Sequence, residues 1–183
     1  MSSPTIRSVR TTDLTADERQ TLRALFDAAW SGKDDEFSED DWRSATGGVH
    51  VLLEVEGRIR SHASVVDRVL ETGGSTLKTG YVEAVATWPA DQQRGYATSV
   101  MRAVGAYVHD RSELGALDTG IDSFYERLGW ERWRGPTAVR TERGVIGTPE
   151  EDGLVMVIRT ATTPADLDLD APITCDWRPG DVW

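Results

Sequence analysis

Two groups of residues in this chain of 183 combine side-chain type with spacing in a way that suits chemistry. The first is Gln92-Gln93-Arg94-Gly95-Tyr96-Ala97. It sits between an apolar, β-branched run, Tyr81-Val82-Glu83-Ala84-Val85-Ala86-Thr87, and a helical pattern. The first turn of a helix carries N–H groups with no intrahelical partner, and the helix dipole adds positive potential there. A glycine just ahead of it lets the backbone close on an anion. A pyrophosphate fits such a turn, although a single glycine also serves an ordinary strand-to-helix connection. Neither G-x-x-x-x-G-K-[ST] nor G-x-G-x-x-G occurs here. The second group is acidic. Six acids fall within Asp34 to Asp41, and Glu150-Glu151-Asp152 form another knot. Spread evenly, such charge would serve solubility; gathered at two places, it could line one site for a cationic substrate. Asp166, Asp168 and Asp170 read as a solvated loop.

The elements that must position these residues follow from periodicity. Thr5–Arg10 alternates weakly and reads as a strand. Asp13 or Thr15 caps a helix to about Trp30, with Leu22, Leu25, Phe26 and Ala29 on one face. Ser38 caps a short helix over Glu39–Ser44, and acids in its first turn suit the dipole. Val49, Val51, Leu53 and Val55 alternate, Glu56-Gly57 turns the chain, and Ile59–Leu70 returns. Leu77–Thr87 completes an antiparallel meander ahead of the glycine turn. On the helix that follows, Ala97, Val100, Met101, Val104 and Val108 share a face. Leu114–Leu117 reads as a buried strand, Asp118–Leu128 as a helix, Trp130–Trp133 and the region of Val139 as strands, and Leu154–Ile158 as a strong strand. Ile173–Trp177 reads as a last edge strand. The expected architecture is α/β (α+β), a mixed and largely antiparallel sheet flanked by helices, in a single domain over residues 1–183.

Composition bounds the function. With 39% hydrophobic and 28% charged residues the chain suits a globular protein with one core. A net charge of −11 argues against nucleic acid, whose phosphates need lysine and arginine. No apolar run reaches the length of a membrane span, and the first residues lack a signal-peptide pattern. Cys175 is the only cysteine, so no internal disulfide is expected and the cytoplasm is the default location. His50, His62 and His109 lie far apart without ligand spacing, and no metal is expected.

The Q-x-x-G-x-A at Gln92, Gly95 and Ala97, set between strand and helix, resembles the acyl-CoA pyrophosphate loop of the GNAT (GCN5-related N-acetyltransferase) superfamily. Tyr125-x-x-x-Gly129-Trp130 strengthens the likeness. A narrower resemblance covers nearly the whole chain. Gly80–Glu83, Leu114–Leu117, Trp133–Thr137, Thr148–Gly153 and Cys175-Asp176-Trp177-Arg178-Pro179-Gly180-Asp181-Val182-Trp183 all look like the aminoglycoside 2'-N-acetyltransferases.

That resemblance implies transfer of acetyl from acetyl-CoA, by direct attack, to the 2'-amino group of a cationic aminoglycoside, giving antibiotic resistance, with a homodimer as the assembly. It implies Glu83 as the base, acting through water, and Tyr125 as the acid beside the thiolate. Val85 and Ala86 pair with pantetheine and offer an oxyanion donor. Gln92, Arg94, Gly95, Tyr96, Ala97 and Thr98 hold the pyrophosphate. Glu36, Asp41, Glu83, Glu151, Asp181 and the Trp183 carboxylate hold the aminosugar. The chemistry agrees: an ammonium must lose a proton before it attacks a thioester, and the tetrahedral oxyanion needs N–H donors.

The chain departs from the family at Asp118, where serine is common, in a segment 118–124 that is shorter, and at Glu36 and Glu151, where aspartate is common. Each longer side chain keeps its charge and changes its reach, so an unusual aminosugar of the kasugamycin type is one alternative. An acetyltransferase for a polyamine or a protein N-terminus is another. A non-catalytic acyl-CoA sensor is the third.

Overall fold

A computed structural model of the chain describes residues 3–32 and 37–183. In chain order the elements are β1 (Thr5–Arg10), α1 (Ala16–Trp30), α2 (Glu39–Ala45), β2 (Val49–Val55), β3 (Arg58–Thr72), β4 (Ser75–Thr87), α3 (Tyr96–Arg111), β5 (Leu114–Asp118), α4 (Asp122–Glu126), β6 (Glu131–Arg132), β7 (Thr137–Thr141), β8 (Gly144–Gly147), β9 (Val155–Arg159) and β10 (Ile173–Asp176). They fall into two compact units. One takes the chain up to Val66 together with Val82–Val104; the other takes Asp67–Tyr81 and Gly105–Trp183.

In the first unit β1 and β2 pair antiparallel from Thr5↔Glu54 to Arg10↔Val49. β2 pairs antiparallel with β3, Val49 opposite Val65 and His50 opposite Ser64, and the register shifts between Leu53 and Glu54. Thr15, not Asp13, caps α1: its hydroxyl accepts from the Glu18 N–H, and the Glu18 carboxylate accepts from the Thr15 N–H. Arg7 then ties Glu18 to Glu54 on β2. The buried face of α1, Leu22, Leu25 and Phe26, joins Leu14, Leu52, Ile59 and Ala86 in one core. Trp30, Phe37 and Trp42 pack around Phe26 at ring distances of 4.7–6.2 Å. Leu22, Leu25 and Phe26 are fully buried, and full burial of each such side chain stabilises by roughly 1.5–3 kcal/mol.

In the second unit β5 runs parallel to β4 from Thr79↔Leu114 to Tyr81↔Ala116. β9 lies antiparallel to β5, and β6 to β9. β10 is not an edge. It pairs antiparallel with β3 at Thr72 to Leu70 and parallel with β7 from Thr137 to Arg140, while β8 folds back on β7. Its polar flanks suggest an exposed strand, yet Ile173 and Cys175 are fully buried. The helix expected over Asp118–Leu128 is also shorter. Asp118 ends β5, and only Asp122–Glu126 is helical, because Thr119-Gly120 interposes a turn. Trp133 is fully buried and donates its indole N–H to the Ala171 carbonyl at 2.9 Å. Gly135 must be glycine: a Cβ there would lie 2.0 Å from the same Ala171 oxygen.

Candidate active site

The half-buried Glu83 stands beside a kink in β4. Ala84 has φ +49, a left-handed conformation that a side chain rarely adopts and that interrupts the pleat. Side chains of β3 hold the carbonyls around it. Ser64 Oγ donates to the Glu83 carbonyl at 3.3 Å, His62 Nδ1 lies 2.8 Å from the Ala84 carbonyl, and Ser61 Oγ donates to the Ala86 carbonyl at 3.0 Å. Ala86 is buried and Val85 half-buried.

Past Thr87 the chain makes a short helical turn, Pro89–Asp91, and then the turn proper. Gln93 has φ +62 and Gly95 φ +77, and Tyr96 begins α3. The Ser99 N–H gives the first helical bond, to the Gly95 carbonyl at 3.1 Å. The amides ahead of Ser99 are therefore the partnerless ones of a helix start, carried by Tyr96, Ala97 and Thr98. Gln92, Arg94 and Gly95 are exposed. Arg94 is held 3.4 Å from Asp91, a buried carboxylate that also takes Arg60 at 3.2 Å. Asp91 thus fixes the base of the turn and leaves the Arg94 guanidinium turned partly to solvent. The turn thus combines a helix dipole, open amides and one tethered cation, the features that suit an anion.

Asp41 belongs to α2, where its carboxylate accepts from the Ser38 N–H at 2.7 Å as half of a capping box. The capping role therefore takes one of its oxygens. Glu36, the other acid expected nearby, lies outside the described residues.

The second unit carries the remaining candidates. Tyr125, in α4, is buried against Phe124 and Trp130. Burial pushes its phenol up to about 12, against a smaller opposing effect of the Thr119 hydroxyl. Such a phenol keeps its proton and can donate a hydrogen bond. Full proton transfer to a thiolate, whose parent thiol ionises near about 8.5, would be uphill. Glu151 sits in a short turn, Pro149–Glu151. Burial, then a hydrogen bond and charge repulsion from Asp118, push it up to about 7. Asp118 is a partner that the sequence reading placed at a helix start and noted as a departure from the family, not as a neighbour of Glu151. The two carboxyls meet because β5 ends beside that turn, and the neighbouring acid favours the protonated form of Glu151.

The tail docks on the same turn. The Trp183 indole N–H donates to Thr148 Oγ1 at 3.0 Å, and only 3% of the residue is exposed. Arg68 Nη2 donates to the Val182 carbonyl at 2.7 Å and to the Asp176 carbonyl at 3.0 Å. Arg178 donates to the main-chain oxygens of Asp181 and Trp183. Arg68 and Arg178 both lie over the Tyr81 ring, at 4.6 and 5.6 Å. Asp181 itself is exposed. The main-chain oxygen of Trp183, expected from sequence to face the substrate, is therefore accompanied by Arg178.

His50 and His62, distant in sequence, are adjacent. Both are fully buried, with Nδ1 of His50 2.8 Å from Nε2 of His62. The hairpin register brings them together, and their separation along the chain concealed it. Among the described residues no group of three or more His, Cys, Asp or Glu could hold a metal ion, and no helix is long and apolar enough to cross a membrane.

Comparison with known proteins agrees with this geometry. Residues 10–133 match the acetyltransferase (GNAT) domain family. An aminoglycoside 2'-N-acetyltransferase of Mycolicibacterium fortuitum is 41% identical over 98% of this chain and 92% of its own length. Among solved structures, Eis1 from Mycobacterium abscessus superposes with a TM-score of 0.59 at 19% identity, over 74% of this chain and 33% of that one. A GNAT family acetyltransferase from Brucella melitensis, solved in complex with acetyl-CoA, gives 0.56 at 16% identity over 88% and 99% of the two chains. The kinked strand, the glycine turn and the matched sequence converge: this chain belongs to the GNAT acetyltransferases, in the aminoglycoside 2'-N-acetyltransferase family.

Proposed function

We propose that the protein transfers acetyl from acetyl-CoA to the 2'-amino group of an aminoglycoside, and so protects its host from the antibiotic. The observation that carries this reading is the left-handed kink at Ala84, directly after Glu83 and eleven residues before Gly95. A kinked strand leaves part of its backbone unpleated, which suits an acyl thioester lying alongside. The turn at Gln92–Thr98 offers amides and Arg94 to the pyrophosphate of the same molecule.

In this mechanism Glu83 takes the ammonium proton, directly or through water, and frees the nitrogen lone pair. The nitrogen attacks the acetyl carbonyl, and the Val85 N–H steadies the oxyanion. The intermediate collapses and the C–S bond breaks; the attacking nitrogen loses its second proton and the thiolate gains one, passed through solvent, while Tyr125 donates a hydrogen bond to the departing sulfur. The family resemblance gives Asp41 in the first unit, and Glu151 and Asp181 in the second, as groups for the other amines and hydroxyls of the sugar, Glu151 most strongly once its carboxyl has ionised.

The substrate is supported by the name of the Mycolicibacterium fortuitum relative and by the acid pair Asp118–Glu151, which a polycation would satisfy. The test is a panel of aminoglycosides with and without a free 2'-amine, each incubated with acetyl-CoA while free thiol is followed, with the product's acetylated nitrogen identified by NMR. Turnover confined to compounds carrying the 2'-amine supports the proposal. Equal turnover of simple polyamines, or acetylation elsewhere on the sugar, would replace it.

A further inference from the structure

Three polar side chains of the first unit, a half-buried threonine and two buried histidines, form a line that ends on the kinked strand, and the reaction scheme above uses none of them. Thr11 Oγ1 lies 2.8 Å from His50 Nε2. His50 Nδ1 lies 2.8 Å from His62 Nε2. His62 Nδ1 lies 2.8 Å from the Ala84 carbonyl. Both imidazoles are fully buried, and the His62 ring lies 4.9 Å from Phe26.

The end of this line determines its direction. A carbonyl oxygen only accepts, so His62 must carry its proton on Nδ1. A neutral His62 then has a bare Nε2, which accepts from His50 Nδ1–H. His50 is left with a bare Nε2, which accepts from the Thr11 hydroxyl. The Thr11 oxygen also lies 3.1 Å from the Gly48 carbonyl, but its one proton can serve only one neighbour. Sending that proton to Gly48 would require His50 to donate from Nε2 as well, and so make one of the two rings an imidazolium. Burial opposes this: His50 is held down to about 4 and His62 to about 3, burial being the largest cause for both, with Arg19 the nearby charge acting on His50. One uniform direction remains, from Thr11 to Ala84.

The Ala84 carbonyl and the Val85 N–H belong to one planar trans peptide and point in opposite directions. Anchoring the oxygen therefore aims the N–H. It also polarises the amide, since hydrogen bonds in a chain strengthen one another. We propose that His62, backed by His50 and Thr11, is a positioning residue that aims and strengthens the Val85 N–H as the oxyanion donor. This rests on the acetyl-transfer reading of β4.

The experiment has an arm that needs no activity. In the unliganded protein at neutral pH, nitrogen-15 imidazole spectra should show both rings neutral and protonated on Nδ1; an Nε2-protonated or charged His62 overturns the relay. The Val85 amide nitrogen shift should move in His62→Leu and, less far, in Thr11→Val; an unmoved shift in both folded variants also overturns it. Wild-type protein that binds acetyl-CoA but acetylates no amine would sink the functional reading while leaving the relay to be judged by the spectra. Given turnover, kcat of folded His62→Leu should fall ~10-fold, less than the 10²–10³ lost when an oxyanion donor is removed outright. Acetyl-CoA affinity by calorimetry should change less than about twofold, and the milder Thr11→Val, expected to lose about threefold in kcat, serves if His62→Leu does not fold. Unchanged kcat in folded variants refutes the positioning role.

Discussion

The docked tail gives a prediction whose size follows from its contacts. A buried tryptophan removes up to about 250 Å² from water, which at ~25 cal/mol per Å² is an upper bound of about 6 kcal/mol. Trp183→Ala should therefore cost about 3–5 kcal/mol, the usual range for a buried aromatic. Trp183→Phe should cost much less. It keeps a ring in place and loses one hydrogen bond, that to Thr148, whose hydroxyl still donates to Thr137 Oγ1 at 2.8 Å. No buried donor is orphaned by that change, so the loss is about 1 kcal/mol plus a small cavity. Deleting Asp181–Trp183 should be the most severe, since Arg68 loses the Val182 carbonyl while its Nη1 already has no partner among the described residues. Urea titration separates the cases. With a slope of about 2 kcal/mol per molar, the midpoint should fall by ~2 M for Trp183→Ala and ~0.5 M for Trp183→Phe. In native buffer, KM for the aminosugar should rise in the truncated protein with acetyl-CoA affinity little changed. Equal midpoints for the alanine and phenylalanine variants would refute the docked indole.

Three other outcomes are expected. Gly95→Asp should abolish acetyl-CoA binding by calorimetry without unfolding the protein: a Cβ there meets nothing within 4 Å, but φ is +77 and the new carboxylate would repel a pyrophosphate. Glu83→Gln should lower kcat by ~100-fold at neutral pH, with the deficit shrinking as pH rises and more substrate arrives deprotonated; normal turnover removes Glu83 as the base. Glu151 has a carboxyl raised from 4.5 to about 7, so the folded state holds a proton that the unfolded chain releases. Stability from this group is full below about 4.5, falls as pH rises through about 7, and should lose that slope in Glu151→Gln. Aminosugar binding should strengthen over the same rise in the wild type and not in the variant, as isothermal titration at several pH values would show.

The sequence exposed what is local. The turn at Gln92–Ala97, the caps at Thr15 and Ser38, and the hairpin at Glu56-Gly57 were legible because each depends on neighbours a few residues away. The place of β10 was not, because it is set by Thr72 and Thr137, far along the chain, and by the burial of Ile173 and Cys175. Asp118 was read as the start of a helix to Leu128; pairing with Val155 instead keeps it in β5. The meeting of His50 and His62 needs the register of β2 on β3, including its shift between Leu53 and Glu54. A two-residue turn at Glu56-Gly57 alone would have set the two histidines on opposite faces of the sheet, since a one-residue change of register flips every side chain; the shift is what brings them to one face. The meeting of Glu151 and Asp118 had no local signature.

The central place of β10 has a consequence for biosynthesis. β3 and β10 pair across about 100 residues, Thr72 opposite Ile173. At roughly 5–20 residues per second the ribosome needs about 5–20 s to make the intervening chain. Through that interval the stretch of β3 that flanks β10 has been translated, joined by β7 once Thr141 is made, while the strand that joins them has not. Their unpaired N–H and C=O groups are then a template for other chains. Nascent chains halted before Ile173 should therefore be chaperone clients and prone to aggregate, and synonymous changes that slow translation of residues 142–172 should lower soluble yield without altering the finished protein.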